Sequence, residues 1–111
     1  MPAWDEASSL SFNTPSRISR NMSIIVKLHP YYQDITGTGE TVHAEGTTVL
    51  EIIEDLERQY PGIKEQLLDH RGRIQGFAEI FVNAEIVHPM SVNMPVKEGD
   101  EIEILTVISG G

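Results

Sequence analysis

Only one segment of this chain reads clearly as a long helix, and most of the regular structure around it reads as strand. In TVLEIIEDLERQY the apolar residues Val49, Ile52, Ile53, Leu56 and Tyr60 recur at helical spacing, with Glu51, Glu54, Asp55 and Arg58 on the opposite side. Thr48 followed by Glu51 predicts a capping box, and Pro61-Gly62 ends the helix. The flanking segments alternate with period two. SIIVKLH puts Ile24, Val26 and Leu28 on one face, and ETVHAE, after a turn at Gly37-Thr38-Gly39, reads as its hairpin partner. FAEIFVN, AEIVHP and DEIEILTV supply three more strands, and IKEQLL adds one or two helical turns. HRGRIQG is a polar loop, and MSVNMPVKEGD forms the last connection. Asn83-Ala84 makes the tight turn between the third and fourth strands.

One amphipathic helix cannot cover both faces of a five-stranded sheet. The sheet is therefore expected to be mixed and curled around the helix, its other face left to water or to a partner. That is an α+β fold of the β-grasp kind, with the first and last strands parallel neighbours at the centre. At 111 residues the chain buries about 60–65% of its unfolded surface, enough for a single core. The folded domain is assigned to residues 23–111. Residues 1–22, rich in Ser, Asn and Pro and lacking either periodicity, are expected to be a disordered extension. They precede a second methionine, Met22, so they are read as a natural extension or as a start codon assigned too early. Ordering on a partner through Trp4, Leu10 and Phe12 is the less favoured alternative.

Charge and composition remove several function classes. The net charge is −9, and Asp5 and Glu6 cancel Arg17 and Arg20, so all of it belongs to residues 23–111. Such a surface opposes binding to a phosphate backbone and favours a partner with a basic docking face, although solubility alone would also account for it. The chain has no cysteine, which excludes thiol catalysis, persulfide formation on this chain, iron–sulfur ligation and cysteine-type zinc sites. There is no apolar run of about 18 residues and no signal-peptide core, so a cytoplasmic protein without membrane contact is expected.

The last strand carries the strongest functional signal. In GDEIEILTVISGG, Ile102 and Ile104 share one face, while Glu101, Glu103, Leu105 and Val107 share the other. Two branched apolar residues beside carboxylates on an outward face are either ordinary surface apolars or the centre of a partner-binding patch, and their place just before Gly110-Gly111 favours the patch. Ser109, Gly110 and Gly111 follow. A terminal Gly-Gly pair has a chance frequency of about 0.5% at ordinary glycine usage. The pair reads either as an ordinary loose end or as a threading device: lacking Cβ atoms, two glycines can pass through a channel too narrow for any side chain and present a bare carboxylate at its far end.

The helix ending LERQYPGIKEQLLD, the FVNAEIV hairpin, the KEGDEIEIL lead into the last strand and the final GG, in this order, resemble the MoaD/ThiS sulfur carriers, relatives of ubiquitin. The resemblance covers residues 23–111 and implies a β-grasp carrier that is not itself an enzyme. It implies that Gly111 bears the reactive carboxylate, with Gly110 and Ser109 threading it. A ubiquitin-activating-type adenylyltransferase would consume ATP to activate that carboxylate. A sulfurtransferase or sulfide source would convert it to a thiocarboxylate, and an acceptor synthase subunit would receive the sulfur for molybdopterin, cysteine or a comparable product. No cofactor is expected on the chain itself. Leu105 and Val107 correspond to the family's exposed apolar patch. LTVIS lacks the proline common before the Gly-Gly of MoaD-like members, which counts against molybdopterin as the product, and Ala84 follows Asn83 where many relatives carry glycine or aspartate, which argues against the usual primed turn. The long segment from Tyr60 to Asn83 resembles the long MoaD-like and cysteine-synthesis carriers more than the thiazole carriers.

Other residues are read more plainly. His29, His43, His70 and His88 show no metal-site spacing, and no metal is expected. Glu51, Glu54 and Asp55 read as the solvated face of the helix. Two alternatives to the carrier remain: a ubiquitin-like modifier joined through Gly111 to lysines, and a passive β-grasp interaction module.

Overall fold

The computed structural model describes residues 23–107. The extension at 1–22 and the tail residues Ser109, Gly110 and Gly111 lie outside the described residues. Five strands, β1 (Ser23–Leu28), β2 (Thr41–Glu45), β3 (Ala78–Val82), β4 (Glu85–Ile86) and β5 (Glu101–Thr106), form one mixed sheet in the order β2-β1-β5-β3-β4. β1 and β5 are parallel, with Val26 opposite Ile102 and Leu28 opposite Ile104; the other pairings are antiparallel. This is the β-grasp architecture expected from the strand and helix order.

Helix α2 (Val49–Gln59) lies against the inward face of the sheet. Its Val49, Ile52, Ile53 and Leu56 join Ile24, Val26 and Leu28 of β1, Ile80 and Val82 of β3, and Ile102 and Ile104 of β5 in the core. Tyr60, expected on the buried helical face, instead caps the helix C-terminus and is only partly buried. At the N-terminus the Thr48 hydroxyl accepts from the Glu51 N–H at 3.1 Å, but the reciprocal bond differs from a capping box. The Glu51 carboxylate accepts from Thr47, backbone and hydroxyl, at 2.7 and 2.8 Å. Gly46 explains the shift: a Cβ there would stand 2.7 Å from the Glu51 Cβ, so its absence lets the incoming chain cross the first helical turn closely.

The acidic side of α2 is not merely solvated. Asp55 accepts from the Glu45 N–H at 3.0 Å, and Gln59 donates to the His43 carbonyl at 2.9 Å. Two side chains of the helix thereby occupy backbone groups along the outer edge of β2, the edge most exposed to pairing with another chain. Glu54 pairs with Lys64 at 3.5 Å.

Two short helices flank the main one. α3 (Lys64–Leu67) is a single turn, where one or two were expected. α1 (Pro30–Thr36) replaces part of the expected simple hairpin between β1 and β2. Its signals are local: Pro30 in the first turn, and Gly37 at φ 71° closing it with its N–H on the Gln33 carbonyl. Seven residues are too few to display a helical apolar stripe against the alternation of the neighbouring strands.

The β3–β4 turn corrects another expectation. Asn83 and Ala84 both have positive φ, 52° and 73°, which is the primed geometry in spite of the alanine. Asn83 is held at that turn by bonds to β5 and to the residue before it. Its N–H donates to the Glu101 carbonyl at 2.8 Å, its Oδ1 accepts from the Glu101 N–H at 3.0 Å, and its Nδ2 donates to Asp100 Oδ1 at 3.0 Å. Ala84→Gly should therefore relieve a left-handed strain, raising stability by about 0.5–1 kcal/mol after the entropic cost of glycine. Thermal unfolding would show a midpoint a few degrees higher; an unchanged or lower midpoint would show that the turn does not strain Ala84.

Asp100, buried at the start of β5, also accepts from the Lys97 N–H at 2.9 Å. The Asn83 amide first, and then the Lys97 N–H, hold its carboxyl below the ordinary value. The Thr47 N–H does the same for Glu51, the Lys64 and Gly62 N–H groups for Glu57, and the Arg73 N–H for Asp69. A carboxyl lowered on folding adds stability above its unfolded pKa, about 4, and that contribution disappears as pH falls through the folded value. The melting temperature should be level from neutrality to about pH 5 and fall below about pH 4. Asp100→Asn should melt lower at pH 7 and show a shallower acid decline; an acid limb of wild-type steepness would remove Asp100 from its cause.

Candidate functional site

β5 is the central strand of the sheet, and its buried and exposed residues alternate from Glu101 to Ile104. Ile102 and Ile104 are buried, whereas Glu101 and Glu103 are exposed on the outward face. Leu105 shares that outward side and is half-buried, and Val107, just beyond the strand, is 52% exposed. The sheet register brings neighbours to them. Glu79 lies opposite Leu105, Phe81 opposite Glu103, and exposed Ile86 of the edge strand opposite Phe81. On the other side exposed Ile25 lies opposite Glu101, and Lys27 reaches the Glu101 carboxylate at 3.5 Å. The outward face therefore interleaves apolar side chains with carboxylates, a composition suited to a partner with an apolar centre and basic surroundings.

The end of β5 is fixed from two sides. The Thr106 hydroxyl and the Val107 N–H both donate to the Phe77 carbonyl, at 3.0 and 2.9 Å. Across the strand, the His29 N–H donates to the Ile104 carbonyl at 2.9 Å, and the Tyr32 hydroxyl reaches the Leu105 carbonyl at 3.3 Å. Tyr32 is fully buried, and that burial pushes its phenol above the ordinary value, so it is a neutral donor at physiological pH. The end of β5 is thus anchored by hydrogen bonds from both sides through Val107. Sequence reasoning missed Tyr32 and Phe77; the missed short helix α1 was the available signal for the first, and nothing local marks the second.

Among the described residues no group of three or more His, Asp or Glu is arranged to hold a metal ion. His29 instead caps α1, its Nδ1 accepting from the Tyr31 N–H at 3.0 Å, and His88 Nδ1 accepts from the Met90 N–H at 3.1 Å. No helix among the described residues is long and apolar enough to cross a membrane. The FVNAEIV and KEGDEIEIL segments, far apart in sequence, meet through the Asn83–Asp100 bond.

Comparison with known proteins places this geometry. Residues 26–111 match the ThiS family. The sulfur carrier protein CysO of Mycobacterium tuberculosis is 33% identical over 93 residues, which span 81% of this chain and the whole of that protein. The crystal structure of the BexX/CysO complex of Amycolatopsis orientalis contains a chain 35% identical, superposing with a TM-score of 0.73 over 79% of this chain and 99% of that one. The small archaeal modifier protein 1 of Methanosarcina acetivorans is 26% identical, with a TM-score of 0.67 over 82% of this chain and 98% of that one. A family match through residue 111, joined to a β-grasp sheet whose central strand leads into Gly110-Gly111, shows that the chain belongs to the ThiS family.

Proposed function

We propose that this protein is a sulfur carrier whose reactive group is the carboxylate of Gly111. The observation that carries the reading is the likeness to a sulfur carrier over that relative's whole length, within a family match that reaches Gly111. In the proposed reaction a carboxylate oxygen of Gly111 attacks the α-phosphorus of ATP on an adenylating enzyme. Pyrophosphate leaves, and an acyl-adenylate forms. Sulfide then attacks the acyl carbon and expels AMP, leaving a thiocarboxylate; where a sulfurtransferase persulfide attacks instead, its outer sulfur bonds the acyl carbon, AMP leaves, and a second thiol reduces the resulting acyl disulfide, releasing the thiocarboxylate and leaving a disulfide on the thiol donor. An acceptor synthase consumes that thiocarboxylate, and the likeness to CysO favours cysteine or a comparable product over thiazole. The chain acts as a cosubstrate in the cytoplasm with no turnover of its own, and Glu101, Glu103, Leu105 and Val107 meet its partners.

The likeness to a small archaeal modifier favours a second reading, in which a lysine amine of another protein attacks the same activated carbonyl and forms an amide. Intact-mass measurement of the protein from its native host separates the two. A terminal oxygen replaced by sulfur is expected for the carrier. Adducts through lysines of other proteins would establish the modifier, and an unaltered mass during active sulfur metabolism would leave only a passive module.

A further inference from the structure

We infer that the pole of the fold around the end of β5 is a docking surface for the enzyme that adenylates Gly111, with Tyr31 as its anchor; this rests on the carrier reading above. Gly111 stands four residues beyond Val107. A fully extended chain of that length reaches no more than about 14 Å. A catalytic centre that acts on this carboxylate and is walled against water must therefore bring the mouth of its channel against the pole. The outward sheet face only adjoins that region, because Glu101, six residues before Val107, lies about 20 Å back along the strand.

What stands at the pole is α1, bound to β5 through His29 and Tyr32. Tyr31 is the exposed aromatic of this helix, at 38%. Its ring meets that of Tyr32 edge to face, centroids 5.1 Å apart, and Tyr32 touches the Leu105 carbonyl, so Tyr31 is one ring removed from the root of the tail. Its hydroxyl donates to Gln66 Oε1 of α3 at 2.9 Å. An aromatic side chain held at both ends loses little freedom when a partner covers it, and its apolar face with a polar tip suits an interface anchor. On the other flank of α1 a cavity of about 270 Å³ is lined by Lys27, Pro30, Gln33, Glu40, Glu103 and Leu105 among others. It joins the pole to the outward face. Glu40 and Glu103 outnumber its one ammonium, Lys27, which already pairs with Glu101 at 3.5 Å, so the cavity suits a basic side chain of the enzyme, whose apolar stem would lie on Pro30 and Leu105.

The test is ATP–pyrophosphate exchange by the host's adenylating enzyme with the full-length chain as substrate. Tyr31→Ala should raise the KM for the carrier about tenfold or more with kcat within about twofold of wild type, the pattern of lost docking. Tyr31→Phe, which keeps the ring, should stay within about threefold in KM. Glu98→Ala, beside the Gly99 turn at the opposite end of β5, should change neither constant. Thermal unfolding of each variant verifies that it is folded. If Tyr31→Ala leaves KM within about twofold of wild type, or lowers kcat alone, the docking surface is overturned while the carrier reading stands. If the wild-type chain supports no exchange, the carrier reading falls and the docking surface with it.

Discussion

Adding one residue after Gly111, or deleting Gly111, should abolish activation while leaving the fold untouched. One residue moves the carboxylate by about 3.5 Å, and acyl transfer tolerates far less: a misplacement of about 1 Å already costs on the order of 100-fold. Either change should lower ATP–pyrophosphate exchange by more than about 100-fold. Stability should hold, because the core is built from residues between Ile24 and Ile104 and the last described anchor of the chain is Val107. Normal exchange by the extended chain would mean that the reactive group is not the carboxylate of Gly111, and the proposed chemistry would fall with it.

The second large effect concerns two neighbouring residues of β5 with opposite fates. Leu105→Arg should weaken binding to the adenylating enzyme at least about tenfold, since it removes about 1.5–3 kcal/mol of apolar burial and opposes a basic surface. Its cost to stability should be at most about 1 kcal/mol, because the new cation faces Glu79 across the strand pair. Ile104→Ala should do the reverse. Ile104 is buried between Leu28 of β1 and Ile80 of β3. Its truncation should cost about 2–5 kcal/mol and leave the binding of the folded fraction nearly unchanged. Paired chemical denaturation and binding measurements on the two variants provide the check. A sharp loss of stability in Leu105→Arg would show that Leu105 serves the core more than the outward face.

Much of this arrangement was legible because its code is local. Period two along DEIEILTV separates Ile102 and Ile104 from Glu101, Glu103 and Leu105 wherever the strand is placed, because successive side chains of a pleated strand point to opposite faces. Spacing along α2 identified the face carrying Val49, Ile52, Ile53 and Leu56 in the same way. The failures were of another kind. The Glu51 carboxylate passed over Thr48 to Thr47 because the chain at Gly46 crosses the helix so closely. Asp55, apparently a solvated residue, closes part of the β2 edge because the curl of the sheet carries Glu45 to it. Ala84 adopts positive φ because Asn83 beside it is tied to Glu101 and Asp100.

By itself, then, the amino-acid sequence determined the elements, the faces they bury, the acidity of the folded part and the bare Gly110-Gly111 ending, all of which follow from side-chain chemistry and repeat distance within a few residues. Only the tertiary structure decided how the root of the tail is held. The Tyr32–Leu105 and Tyr31–Gln66 bonds join residues 73 and 35 positions apart. Contacts at such separations leave no periodic trace in the sequence. They arise when β1 and β5 pair in parallel and the short helix α1 is drawn across the end of the sheet.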